Sequence, residues 1–165
     1  MNVQPLLSAT VALLLALPLA ATAHDGPHPS AAAADAAIAP SAQPAVEVVT
    51  QFSAALKDGD LKRASTLLDA DVLILESGGA ERSRDEYLSG HAKHDAAFLK
   101  NAHAQVKHRT ARAVGDLAWV ATESELHATK EGKPLTLLSS ETMVLKRTAQ
   151  GWRIAHIHWS SRAKR

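Results

Sequence analysis

Residues 103–160 are punctuated by three turn signals, Gly115-Asp116, Lys130-Glu131-Gly132 and Ala149-Gln150-Gly151. They leave four segments, 103–114, 117–129, 134–147 and 151–160, each of strand length. Strands joined by such short connections pair antiparallel, because a parallel partner needs a long crossover. Alternation is clearest in the third segment, where Leu135, Leu137, Ser139, Glu141, Met143 and Leu145 share one side. The C-terminal half is therefore committed to a long meander.

The preceding residues read mainly as helix. Val46, Val49, Phe52, Ala55 and Leu56 recur at helical spacing, which predicts a helix over 45–57. Asp58-Gly59-Asp60 breaks it, and Asp60 can cap a second short helix carrying Leu61, Ala64, Leu67 and Leu68. Residues 71–76 form a short apolar strand stopped by Gly78-Gly79. Ser83-Arg84-Asp85-Glu86 is a capping box that opens a third helix to about Lys100. This order predicts an α+β fold: a cone-shaped, strongly curved antiparallel sheet wrapped around three N-terminal helices, with an internal pocket.

The expected domain is 45–165. Ahead of it, Leu6 to Ala21 is nearly free of polar groups and closes with Ala21-Thr22-Ala23, the small-x-small pattern of a cleavable signal peptide. The run is short for a membrane span, and no basic cluster follows it. Residues 1–23 are thus expected to be removed, giving a periplasmic or secreted protein with no membrane attachment. Residues 24–44 carry Ala, Pro and Ser, with Ile38 the one large apolar residue, and are expected to be a disordered linker.

Composition narrows the chemistry. With no cysteine, disulfides and thiolate sites are excluded. With 18 Lys and Arg against 17 Asp and Glu, nothing favours a nucleic-acid partner. Neither a G-x-G-x-x-G nor a P-loop is present, so no organic cofactor is implied.

Three stretches carry a family resemblance: Phe52-Ser-Ala-Ala-Leu-Lys-Asp-Gly-Asp-Leu61, Leu68-Asp-Ala-Asp-Val-Leu-Ile-Leu-Glu76 and Gly151-Trp-Arg-Ile-Ala-His-Ile-His-Trp-Ser160. In this order they resemble the nuclear-transport-factor-2-like superfamily, which includes SnoaL-like polyketide cyclases, ketosteroid isomerases and the association domain of calcium/calmodulin-dependent protein kinase. The resemblance implies the cone fold and a homodimer formed through the sheet. It also implies roles. The base of the ketosteroid isomerases falls at Glu76 and their protonated acid at Glu141, while their tyrosine donor falls at Phe52, which has no hydroxyl.

The residues themselves support acid–base chemistry. Strand parity puts Glu76 with Val72 and Ile74, and Glu141 with Leu137 and Met143, so both carboxyls sit on apolar faces where burial raises their pKa. His156 and His158 share a face with Trp152, Ile154 and Ser160, and are expected to meet Glu141 inside the cone. On the third helix, Tyr87, His91, His94 or Asp95, and Phe98 form one stripe, with His91 pointing inward. His-x-x-His-Asp could hold a metal with Glu76 or His158, but no established metal motif is present and no metal ligand is assigned. The leading expectation is a small-molecule pocket with isomerase, cyclase or dehydratase chemistry. Glu76 is then the base, Glu141 or His158 the stabiliser of negative charge, and Phe52, Tyr87, His91, Met143 and His156 contact the ligand. Two alternatives stay open: a non-catalytic metal- or ligand-binding module, and a dimerisation domain without turnover.

Overall fold

The computed structural model describes residues 38–165; the expected signal peptide and the linker up to residue 37 lie outside the described residues. Folded structure starts earlier than expected. Ile38 bridges Ala111, the Ala39 amide donates to the Ala111 carbonyl at 3.2 Å, and Pro40–Ala42 make one 3-10 turn that buries Ala42. The one large apolar residue of the Ala/Pro-rich stretch anchors its end to the domain.

Helix α1 (Gln43–Asp58) buries Val46, Val49, Phe52, Ala55 and Leu56 along one stripe. It ends at Gly59, whose φ of 73° is the left-handed conformation that favours glycine at a helix C-terminus. Helix α2 (Leu61–Leu67) is capped by Asp60, which accepts from the Arg63 amide at 2.9 Å. Strand β1 (Leu68–Glu76) and the short β2 (Gly79–Glu81) follow. The expected third helix is two: α3 (Arg84–Ser89) and α4 (His91–Lys100), parted by Gly90 at φ −125° and ψ −91°. Its capping box is present, with Ser83 Oγ accepting from the Glu86 amide at 3.1 Å. The Glu86 carboxylate in turn takes the Arg82 amide at 2.7 Å.

Strands β3 (His103–Val114), β4 (Leu117–Lys130), β5 (Lys133–Thr148) and β6 (Gly151–Ala163) form the meander. The six strands lie in the order β2-β1-β6-β5-β4-β3, in one open sheet. It is mixed rather than wholly antiparallel, because β1 runs parallel to β6. One face packs on the helices through Val72, Ile74, Val120, Met143, Leu145, Ile154 and Ile157, all fully buried. Each such side chain contributes about 1.5–3 kcal/mol by leaving water.

Three ladders carry register breaks, β1–β6 between Leu68 and Leu73 as well as β5–β6 and β3–β4, and the last two are single-residue bulges that reset side-chain parity. Leu145 pairs with Ile154 but Val144 with His156, so Ala155 is an extra residue in β6. Val106 pairs with Ser124 but His108 with Glu123, so Lys107 is an extra residue in β3. Beyond each bulge, every side chain of that strand changes face relative to a regular count.

Candidate functional site

The inner face carries a row of side chains at matching register across five strands. Glu76 of β1 pairs with Trp159 of β6, Trp159 with Glu141 of β5, Glu141 with Thr122 of β4, and Thr122 with Arg109 of β3. All five border a cavity of about 510 Å³ between the sheet and helices α1 and α4. Phe52, Leu56, Phe98 and Leu137 supply much of its apolar wall.

Glu141 is the most enclosed acid of the row. Trp159 Nε1 donates to its Oε2 at 2.8 Å. The Thr122 hydroxyl also bonds to it, and Arg109 Nε donates to Thr122 Oγ1 at 3.1 Å. Burial pushes the Glu141 pKa above the ordinary carboxylate value; the Trp159 bond, the Arg109 charge and the Thr122 bond oppose it without cancelling it. Arg109 is steadied from a helix as well, since its Nη1 donates to Thr50 Oγ1 at 3.1 Å.

A second polar group adjoins Glu76. His91 Nδ1 lies 2.8 Å from Glu81 Oε1, while its Nε2 is 3.5 Å from both Glu76 Oε2 and Asp95 Oδ1. The hydroxyl of the fully buried Tyr87 donates to Asp95 Oδ2 at 2.7 Å. Glu76 is shifted upward by burial, with the Asp95 and Glu81 charges adding to this and His91 opposing. Asp95 is raised by burial despite Tyr87 and His91. Burial alone would lower the His91 pKa, but the bond to Glu81 and the charges of Asp95 and Glu76 raise it on balance. The Tyr87 phenol is driven upward by burial and by Asp95, so it is a neutral donor.

The placement of the expected residues divides cleanly. Phe52, Glu76 and Glu141 border the cavity. His91 and Tyr87 reach it through Glu76 and Asp95. Met143 is fully buried in the core and is not part of the cavity wall. His156 and His158 require correction. Because Ala155 bulges out, they lie on the outer face opposite Leu73 and Leu75, whereas Ile157 and Trp159 point inward. His158 is exposed, and His156 Nδ1 is spent on the Leu73 carbonyl at 2.8 Å. Neither meets Glu141. Glu123 and Glu125 are also on the outer face, where Lys164 Nζ is 2.7 Å from Glu125 Oε1.

Four residues were not expected at the site: Glu81, Arg109, Thr122 and Trp159. The Lys107 bulge turns Arg109 inward, and the Ala155 bulge does the same for Trp159, so neither is visible to simple alternation. Thr122 does follow from alternation with Ala118 and Val120, which marks the inner side of β4.

A family model described as a SnoaL-like domain matches residues 46–164. A candidate ketosteroid isomerase from Shewanella frigidimarina is similar at 36% identity and a TM-score of 0.66, over 71% of this chain and 94% of that one. A candidate dehydratase of the NTF2-like family from Streptomyces avermitilis is similar at 21% identity and a TM-score of 0.62, over 72% and 93%. The calcium/calmodulin-dependent protein kinase II hub of S. rosetta is similar at 19% identity and a TM-score of 0.63, over 73% and 95%. At these two lower identities the likeness is one of fold. No curated protein matches the chain.

Proposed function

The chain belongs to the SnoaL-like domain family, and for this member we propose a small-molecule pocket that moves a proton on a partly apolar carbonyl compound, in the manner of an isomerase or dehydratase. The observation that carries the reading is the row joining Glu76 to Glu141 across an apolar cavity, with Glu141 half-buried in its wall and its pKa raised. A carboxyl kept protonated can donate to an oxygen that gains negative charge. Glu76, raised as well, is the base. It takes a proton α to the carbonyl and Glu141 donates a hydrogen bond to the enolate oxygen; in an isomerisation the proton returns one double bond along, and in a dehydration the β-C–O bond breaks and the proton held by Glu76 leaves with the hydroxide as water. Phe52 borders the cavity without a hydroxyl, so Glu141 serves without a phenol at that position.

The test uses a panel of β,γ-unsaturated ketones and β-hydroxy ketones, followed by the absorbance of the conjugated enone. Glu76→Gln should bind a turned-over ketone as tightly as wild type and lose about 10²–10⁴-fold in turnover. Glu141→Leu should lose about 10²–10³-fold. If wild type converts none of the panel, or if Glu76→Gln turns over normally, the reading fails.

Two further parts of the proposal concern setting and assembly. Export is supported by the apolar run ending in Ala21-Thr22-Ala23; a mature N-terminus other than His24 in fractionated cells would count against it. A homodimer through the outer sheet face is supported by Leu73, Leu75 and Trp119, which are large, apolar and 36–40% exposed. Light scattering of the purified chain distinguishes dimer from monomer.

A further inference from the structure

His91 stands among three carboxyl groups, and its two nitrogens are used differently. Nδ1 is engaged by Glu81 at hydrogen-bond distance. Nε2 is 3.5 Å from Glu76 Oε2 and 3.5 Å from Asp95 Oδ1, too far for a good hydrogen bond to either. Those separations have another natural reading. In a tetrahedral zinc site with ligand bonds of about 2.1 Å, neighbouring ligand atoms lie about 3.4 Å apart. One ligand atom each from Glu76, His91 and Asp95 falls within 4.8 Å of the other two.

Two of these three groups are already held by an outer partner. Glu81 fixes the imidazole through Nδ1, and Tyr87 fixes Asp95 through Oδ2, leaving Nε2 and Oδ1 to converge. A histidine whose other nitrogen is held by a carboxylate is the usual arrangement around a protein-bound metal. Glu76 Oε2 supplies an independent sign. Like Glu81 Oε2, it is shut off from solvent with no hydrogen bond reaching it among the described residues, and the cation it meets is His91, with Nε2 at 3.5 Å. A buried carboxylate oxygen without a donor is costly unless something positive meets it. No lysine or arginine forms an ion pair with Glu76, Glu81 or Asp95 among the described residues.

The geometry points to a divalent-cation site, of the zinc type, ligated by Glu76 Oε2, His91 Nε2 and Asp95 Oδ1, with Glu81 and Tyr87 orienting the ligands. Imidazole with carboxylate oxygens suits zinc and its first-row neighbours. Because Glu76 and Asp95 both border the cavity, the fourth position of such an ion is directed at whatever occupies it, and takes an oxygen donor. The inference is independent of the proposed reaction, in which Glu76 acts as base without a cation on Oε2, and the experiment reads metal rather than turnover.

The full chain is purified without a histidine tag, stripped with a chelator and titrated with Zn²⁺ by calorimetry. One ion should bind at this site with micromolar affinity or better and raise the unfolding midpoint. His91→Ala and Asp95→Asn should each weaken that event at least 100-fold, and Glu81→Gln about 10–100-fold, as expected for an outer partner. His156→Ala and His158→Ala, on the outer face, should leave it unchanged. Stripped wild type loaded with Co²⁺ gives a readout that needs no substitution: intense visible bands of a four-coordinate ion are expected. Failure to bind Zn²⁺, binding that survives His91→Ala and Asp95→Asn, or a Co²⁺ spectrum like that of the hydrated ion would each overturn the site and leave His91 as a counter-charge to its carboxylates.

Discussion

Trp159 gives its indole N–H to Glu141 Oε2 across 2.8 Å, from the directly opposite position of the neighbouring strand. This bond partly offsets the burial of the carboxyl without returning it to ordinary acidity. Trp159→Phe keeps most of the ring and removes the donor. Leaving the buried acid short of a partner should cost about 1–3 kcal/mol of stability. Urea unfolding of the two proteins at one pH checks it, and an unchanged midpoint at unchanged slope would show the bond to be dispensable.

Stability should depend on pH through Glu141 in a direction opposite to that of a salt-bridged acid. Its folded pKa lies above the ordinary 4.5, so the folded state holds the proton more tightly than the unfolded chain. The stability this contributes is fully present below 4.5 and is lost as pH rises through the folded value. Glu141→Gln should remove this component. Wild type should therefore lose stability relative to Glu141→Gln as pH is raised, measured by urea midpoints across a pH series. Parallel curves would contradict the assignment.

Asp69 behaves in the reverse sense. Burial works to raise its pKa, but the Lys146 ammonium at 2.9 Å, which ties the start of β1 to β5, lowers it on balance. Its contribution is present above the unfolded pKa and lost as pH falls through the depressed folded value. Asp69→Asn should cost about 0.2–1 kcal/mol at neutral pH, since Lys146 is half-exposed, and nothing in strong acid. A cost that persisted in acid would point to packing instead of charge.

The bulge at Ala155 is expected to matter by its presence rather than by its side chain. Ala155→Gly should change stability by no more than about 1 kcal/mol. Deleting Ala155 restores a regular count and turns Ile157 and Trp159 outward, or forces β6 out of register with β1 and β5. Losing the full burial of Ile157, at about 1.5–3 kcal/mol, together with the partial burial of Trp159 and the strand register, should leave the chain largely unfolded or insoluble. Circular dichroism of the deletion variant decides it; a folded protein would mean that the parity change is incidental.

The same two bulges explain what could and could not be read from the residues alone. The meander was legible because its turns carry Gly115, Gly132 and Gly151 at regular spacing, and Glu76 and Glu141 were legible because no irregularity separates them from Ile74 and Met143. Simple alternation puts His156 and His158 on the wrong face, because a bulge leaves no compositional mark at Ala155. Arg109 is hidden from simple alternation for the same reason, one extra residue at Lys107. The ring around His91 was only half legible. His91 and Asp95 are one helical turn apart, but Glu81 comes from the short strand β2, which has no sequence period to reveal it.

Strand β1 lies between β2 and β6, so the strand made earliest shares an edge with the one made last. On the ribosome, the segment bearing Glu76 must wait for Gly151–Ala163 before its backbone is paired on both sides. Until then β1 and β5 each present an open edge to neighbouring chains. A nascent chain stopped before Gly151 therefore carries its own liability: among the described residues it has every helix and five of the six strands, yet it offers two further open edges for aggregation and a wall row that lacks Trp159.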